Sequence, residues 1–129
     1  MAGLIEIIKS FDDFAAMHGA EEQAINDAEE KLGLKFSSEY RTYLKEFGAA
    51  CANGHELTGI GVPARLDVVE VTSKAKMKNK SIPSNLYVIE DVGIDKILTW
   101  QDNFGKLYQT VGANDPEPIK KTLIEYIQA

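Results

Sequence analysis

A thiol four residues from an imidazole is the arrangement in this sequence that comes nearest to a nucleophilic catalyst. Cys51 is the only cysteine, and His55 follows it four positions later. Such a pair acts only where the imidazole can reach the thiol and accept its proton. Asn53 and Gly54 lie between them and are typical of a turn, so no helix aligns the two side chains. We therefore interpret Cys51 as a small, partly buried residue and predict no catalytic residues.

The sequence also contains little that could bind a metal ion. Asp91 and Asp95 could share a hard cation through their carboxylate oxygens. Gly93 lies between them, however, and this combination is typical of a turn. The sequence has no pair of histidines or cysteines at the spacing of a known metal motif. We therefore predict that the protein uses no metal ion and no cofactor.

Two stretches could contact phosphate groups. Residues 59–64, with the sequence G-I-G-V-P-A, fit a loose dinucleotide-binding pattern. That pattern needs a parallel βαβ unit and an acidic residue about twenty positions later, and residues 81–86 contain no acid. Alternate lysines at positions 74, 76, 78 and 80 have no aromatic residues between them, and we interpret them as the solvated end of a helix. Neither stretch predicts nucleic-acid binding.

The distribution of charge favours a protein partner over nucleic acid. The chain has 129 residues and a net charge of −6, and the whole excess lies in residues 1–60, which contain eleven acidic and five basic side chains. Residues 61–129 contain nine of each. An acidic half can steer a basic protein partner at low salt. A well-solvated helical surface would also be rich in acidic residues, and both interpretations stay open here.

Length and composition predict one globular domain over residues 1–129, because 44% of the residues are hydrophobic and 26% are charged. The first residues lack a basic segment, and Glu6 interrupts a short apolar run, which does not fit a secretory signal. No stretch approaches the roughly 20 apolar residues of a membrane-spanning helix. We therefore expect a cytoplasmic protein that does not contact a membrane.

Three helices are predicted in the first half, over residues 4–17, 21–32 and 38–47. The third has Ser37 as a suitable N-cap and an apolar stripe at helical spacing, formed by Tyr40, Tyr43, Leu44 and Phe47. In the second helix, Glu22, Asn26 and Glu29 share one flank, and Glu30 points further outward. The acidic excess of the chain is therefore expected mainly on helical surface.

The second half predicts a β-sheet. Short segments rich in β-branched and aromatic residues alternate with turn sequences, over residues 86–89, 96–100 and 106–111, with a further strand near 56–60. Residues 67–78 fit a strand at their start and a helix at their end. A last helix is expected from Pro118, with an inner stripe of Ile119, Leu123 and Ile127. The predicted class is α+β: an antiparallel or mixed meander flanked by N-terminal helices and a C-terminal helix.

Two segments resemble a known family. Residues 28–44 read A-E-E-K-L-G-L-K-F-S-S-E-Y-R-T-Y-L, and residues 87–98 read Y-V-I-E-D-V-G-I-D-K-I-L. The first is similar to the E-x-x-L-G-x-x-L-P-x-[DE]-Y-x-x-[FY]-L signature of the SUKH superfamily, which includes the yeast regulator of cell-wall β-glucan synthesis. The second is similar to the Gly- and Asp-containing hairpin of that family. Phe36 stands where the signature has leucine and Ser37 where it has proline.

The resemblance implies an α+β domain with one sheet flanked by helices. Single-domain members in bacteria are typically immunity proteins, which bind and neutralise a toxin such as a nuclease or another nucleic-acid-modifying enzyme. Known members share no catalytic centre. We therefore expect a non-catalytic immunity protein whose partner is a cognate toxin, and which is itself a monomer or a weak homodimer. The alternatives are a small-molecule- or peptide-binding module and a regulatory scaffold domain.

The residues expected to contact the toxin are mainly acidic, because a nuclease site that grips phosphates is basic. The predicted second helix contributes Glu22, Glu29 and Glu30. The predicted sheet contributes Asp91, Asp95 and Trp100. Trp100 is either a core residue or a partly exposed interface anchor, a role in which tryptophan is enriched.

Overall fold

The computed structural model describes residues 3–129, which form five helices and two antiparallel sheets. The helices are α1 (Leu4–Lys9), α2 (Glu22–Leu32), α3 (Ser38–Phe47), α4 (Val68–Lys78) and α5 (Leu123–Gln128). The strands are β1 (Ala15–Ala16), β2 (Ala50–Ala52), β3 (His55–Glu56), β4 (Tyr87–Asp91), β5 (Ile97–Gln101), β6 (Leu107–Val111) and β7 (Glu117–Ile119). The α+β class predicted from the sequence is confirmed.

The two sheets differ in size and follow the chain order. The smaller sheet has the order β1-β2-β3, and the larger is a meander with the order β4-β5-β6-β7. All the strand pairs in both sheets are antiparallel. A single parallel bridge joins Gly59 to Asp67 outside the strands. The sheet was expected to be antiparallel or mixed, and it is antiparallel.

Strand β4 is buried on both sides, which places the larger sheet between two apolar layers. Tyr87 and Ile89 point into the main core, where the helices α1, α2, α3 and α5 pack. Val88, on the opposite side, packs with Trp100 in a second cluster beside α4. This alternation is the period of two that a strand imposes on its side chains. The larger sheet therefore has the helical core on one face and part of α4 on the other, while Val68 at the start of α4 reaches into the main core.

Helix α3 occupies the residues predicted for it, and α2 begins one residue later than predicted. The side-chain oxygen of Ser37 accepts a hydrogen bond from the Tyr40 N–H and caps α3. Gly33 ends α2 with a φ of 66°, a conformation that glycine adopts without steric cost. The tight connection between the two helices therefore follows from local sequence.

The predicted helix over residues 4–17 is wrong in its extent, because α1 ends at Lys9. The chain turns and reaches β1, where it pairs with β2. The carboxylate of Asp13 accepts hydrogen bonds from the backbone N–H groups of Asn53 and Gly54, at 2.6 and 2.7 Å. This contact with a turn forty residues away holds the segment outside the helix.

The predicted last helix is also wrong at its start, because Pro118 lies in β7, an edge strand. An edge position tolerates proline, which cannot donate a backbone hydrogen bond. Helix α5 starts at Leu123, where Thr122 and Glu125 form a reciprocal capping box. The strand expected near 56–60 is wrong beyond its first residue, because β3 comprises only His55 and Glu56.

The sequence of residues 67–78 fitted a strand at its start and a helix at its end. In the structure these residues form α4 from Val68 onward. The Asp67 carboxylate caps this helix by accepting hydrogen bonds from the N–H groups of Val69 and Glu70. An N-cap of this kind satisfies donors that the first turn leaves without partners, and it offsets the weak helix propensity of the valines.

Candidate functional site

The side of α2 that faces α3 is a network of charges centred on Arg41. Its guanidinium lies 2.6 Å from the carboxylate of Glu22 and 2.8 Å from that of Glu29, and it donates to the Asn26 side-chain oxygen at 3.1 Å. These three acceptors are spaced i, i+4, i+7, so they share the predicted flank of α2. We call these four residues the α2–α3 flank. One arginine therefore pairs with two of the acids that were expected to face a partner.

Glu29 is only 5% exposed, and it is a structural residue. Its second carboxylate oxygen accepts a hydrogen bond from the Phe36 N–H at 2.8 Å, and Lys35 lies 3.9 Å from the first. The expectation that Glu29 offers its charge to a toxin is therefore corrected. A buried carboxylate needs several such donors, because it has lost its hydration.

Glu22 is exposed, but it is paired. Lys45 on α3 lies 2.7 Å from its carboxylate, on the side opposite Arg41. The hydrogen bond from Lys45, followed by the one from Arg41, lowers the pKa of Glu22 below its ordinary value. The charge of Glu22 is thus partly balanced within the protein, at the border between α2 and α3.

The outward side of α2 carries exposed charges, which are the acids Asp27 and Glu30 and the base Lys31. Asp27 and Glu30 are both exposed, and neither forms an ion pair within residues 3–129. Asp27 accepts a hydrogen bond from Gln23, which is neutral. We call Asp27 and Glu30 the outer face of α2. Glu30 was predicted to point outward, whereas Asp27 was missed, although its spacing of three residues from Glu30 places it on the same face.

Asp91 and Asp95 lie in the β4–β5 hairpin and are exposed. The Asp91 carboxylate accepts a hydrogen bond from the Gly93 N–H at 3.0 Å, which is the turn-forming role that the sequence suggested as an alternative to metal binding. Asp95 has a φ of 53°, a conformation uncommon outside glycine, asparagine and aspartate. These two acids belong to a different element from the outer face of α2.

Trp100 is a core residue and not an interface anchor. It is 1% exposed, it packs with Leu86 and Val88, and its indole N–H donates to the Thr110 hydroxyl at 3.0 Å. A partner could contact this side chain only if the layer beside α4 opened. The core interpretation of Trp100 is confirmed, and the exposed alternative is wrong.

The contacts of His55 and Cys51 argue against a nucleophilic pair. His55 Nδ1 lies 2.9 Å from a carboxylate oxygen of Glu90, a residue that is 5% exposed. Burial, and then the charge of Glu56, raises the pKa of the Cys51 thiol, so that the unreactive protonated form prevails at neutral pH. The His55 imidazole is thus paired with the Glu90 carboxylate, and the Cys51 thiol is not activated.

Glu90 is the centre of a buried polar cluster that the sequence did not indicate. It also accepts hydrogen bonds from the Glu56 N–H and from the Tyr126 hydroxyl, and that hydroxyl contacts Thr99 at 2.9 Å. The cluster ties β3 and α5 to the larger sheet. Within residues 3–129, no three acidic, histidine or cysteine side chains are grouped so that they could hold a metal ion.

A family model described as SUKH_5, SMI1-KNR4 cell-wall, matches residues 1–124. The chain belongs to the SUKH family. The match runs from the N-terminus into α5 and therefore includes both sheets and every charged surface described above. No curated protein matches the chain. None of the helices within residues 3–129 has the length and apolar character needed to cross a membrane.

The SUKH signature residues are structural in this protein. Its first glutamate is Glu29, which holds the α2–α3 connection through Phe36 and Arg41. Ser37, which stands where the signature has proline, donates its backbone N–H to the Tyr87 hydroxyl at 2.9 Å and its hydroxyl to Gln101 at 3.0 Å. Proline has no N–H to donate, so the departure from the signature adds a contact between α3 and the larger sheet.

Proposed function

We propose that this SUKH protein is a non-catalytic bacterial immunity protein that binds and neutralises a cognate toxin in the cytoplasm. Immunity is a role of single-domain relatives, and the family match brings it to this chain as a proposal. The toxin is a nuclease or another nucleic-acid-modifying enzyme, whose substrate-binding surface is basic. The proposal takes the protein as a monomer or a weak homodimer and involves no direct contact with nucleic acid or membrane.

The observation that carries the proposal is the excess of acidic over basic charge on the outer face of α2, where Asp27 and Glu30 lie beside Lys31. Asp27 and Glu30 are exposed and lie on a helix whose other flank is paired with Arg41 and Lys45. A basic cleft would be attracted to such a face, which raises the association rate and lets a small protein cover the cleft before substrate binds. Inhibition by occlusion requires no chemistry from the inhibitor.

The proposed contact set differs from the one expected from sequence. It keeps Glu30, adds Asp27, and places Glu22 at its border, because that carboxylate is shared with Lys45. Asp91 and Asp95 stay as a second acidic site on the hairpin. Glu29 and Trp100 leave the set because they are buried.

A survival assay tests the proposal. The neighbouring upstream reading frame is expressed alone and then together with this protein, and viable cells are counted. We expect the neighbour to kill cells and this protein to restore their number. Killing that this protein does not relieve, or a neighbour that is harmless, contradicts the immunity role for that pair.

A further inference from the structure

A groove of about 590 Å³ lies between α4 and the larger sheet, on the side of the molecule where Trp100 is buried. Val71 and Ala75 of α4 and Leu98 of β5 line its apolar part. Pockets that bind small organic molecules occupy about 300–1,000 Å³ and are lined mainly by apolar groups with a few polar ones. The groove matches that description in size and in its apolar lining.

The charged lining of the groove is basic, although the protein as a whole is acidic. Lys74 and Lys78 of α4 and Lys96 of the hairpin line it, and none of the three forms an ion pair within residues 3–129. Arg65 also lines it, but this side chain is paired with Glu56 at 2.8 Å. Asp91 is the acidic residue of the lining.

The lysine run of α4 is divided by the structure into two sets. Lys74 and Lys78 are one helical turn apart and face the groove together. Lys76, between them, donates to the Ser84 carbonyl at 2.9 Å, and burial lowers its pKa. The interpretation of the run as a solvated helix end therefore fits Lys74 and Lys78, which are exposed, and fails for Lys76, which is half-buried and hydrogen-bonded.

We infer that this groove binds a small organic anion, with an apolar body against Val71, Ala75 and Leu98 and a phosphate or similar group between Lys74, Lys78 and Lys96. Three unpaired ammonium groups around one concave site repel one another, and an anion between them relieves this repulsion. The volume of the groove fits a compact molecule, while the net charge of −6 disfavours an extended polyanion. This inference does not depend on the immunity role, which rests on the outer face of α2, although Asp91 of the second acidic site also lines the groove.

The test is a titration followed by amide chemical shifts, with phenyl phosphate as the probe. We expect saturable shifts at residues 74–78 and 96–98, with weaker binding of inorganic phosphate, which lacks the apolar ring, and of benzyl alcohol, which lacks the charge. The Lys74→Gln/Lys78→Gln variant should bind phenyl phosphate about tenfold more weakly or not measurably. The Lys120→Gln/Lys121→Gln variant removes the same charge from exposed positions outside the groove and should bind as the wild type does.

Several results would overturn the inference. The first is the absence of any saturable shift with phenyl phosphate up to about 10 mM, because a useful site would bind more tightly than that. Shifts elsewhere on the protein, or equal affinity for both lysine variants, would show that the groove is not the site. Equal binding of inorganic phosphate would refute the role of the apolar lining. Saturation by a poly-glutamate peptide but not by phenyl phosphate would identify the surface as one for an acidic protein segment.

Discussion

The α2–α3 flank and the α4 groove are both formed by charged side chains, but their charges are used in opposite ways. On the flank, Arg41 lies between Glu22 and Glu29, and the burial of Glu29 is offset by donors from its own chain. In the groove, three lysines line one concavity without an acidic partner for any of them. Charge that is already paired stabilises the fold, whereas unpaired charge is available to a ligand.

The same distinction applies within α2. Its acids were expected to act together, yet the structure divides them between an inner flank and an outer face. Only Asp27 and Glu30 keep their charge free for a partner within the described residues. A count of the acidic residues of a helix therefore overstates the negative charge that the helix presents to a partner.

The largest effect is expected from removing the arginine of the flank. Arg41→Ala leaves the buried Glu29 carboxylate without its main cation, and we expect the free energy of unfolding to fall by about 3 kcal/mol. Lys45→Ala is the matched control, because it removes a cation from Glu22 at the exposed edge of the same network and should cost clearly less. Urea unfolding of both variants measures the difference. Equal losses would mean that the flank is no more structural than an ordinary surface pair.

The buried Glu90 cluster should behave as another internally paired site, whose ion pair with His55 contributes to stability. The hydrogen bond and charge of Glu90 raise the pKa of His55 above its ordinary value of 6.5. A raised folded-state pKa contributes stability that is complete below about 6.5 and is lost as the pH rises through the higher folded value. Tyr126 and Asp13 also face His55, and neither supplies a positive charge.

Unfolding measured from about pH 6 to about pH 9 should therefore show the wild type losing stability relative to His55→Gln. The glutamine side chain does not titrate and stays neutral, so the variant lacks this contribution over the whole pH range. Parallel curves for the two proteins would show that the charge of His55 adds nothing to the fold.

The smallest effect is expected in the groove. Lys74→Gln removes one of two like charges a helical turn apart, so the ligand-free protein should keep its stability or gain about 0.3 kcal/mol. Thermal unfolding without added anions measures this. A loss of stability comparable to that of Arg41→Ala would show that Lys74 is paired internally, and the contrast between the two regions would disappear.

The parts of the fold that follow from the sequence are those set by local contacts. Helix α3 begins after Ser37 and ends before Gly48, and both signals lie next to it in the chain. The first three strands of the meander, β4, β5 and β6, were likewise placed to within about two residues. Long-range contacts account for the errors. Asp13 leaves the helical path because its carboxylate reaches Asn53 and Gly54, which no local pattern reveals.

The surfaces show the same division. Helical spacing placed Glu22, Asn26 and Glu29 on one flank, but it could not show that Arg41, twelve residues beyond Glu29, would occupy that flank. Asp27 was missed even though the same spacing indicates it. The groove was missed because Lys74 and Leu98 belong to distant segments that only the packing of α4 on the sheet brings together.

The central claim, that the outer face of α2 recognises the toxin, is tested most directly by the association rate constant with the toxin found in the survival assay. At low salt, Asp27→Lys/Glu30→Lys should slow association by about tenfold or more, because the steering field is reversed there. Asp115→Lys/Glu117→Lys makes the same change in net charge at exposed positions near β7, and it should stay within about twofold of the wild type. If Asp27→Lys/Glu30→Lys folds normally and associates with the toxin as fast as the wild type, the outer face of α2 does not recognise the toxin.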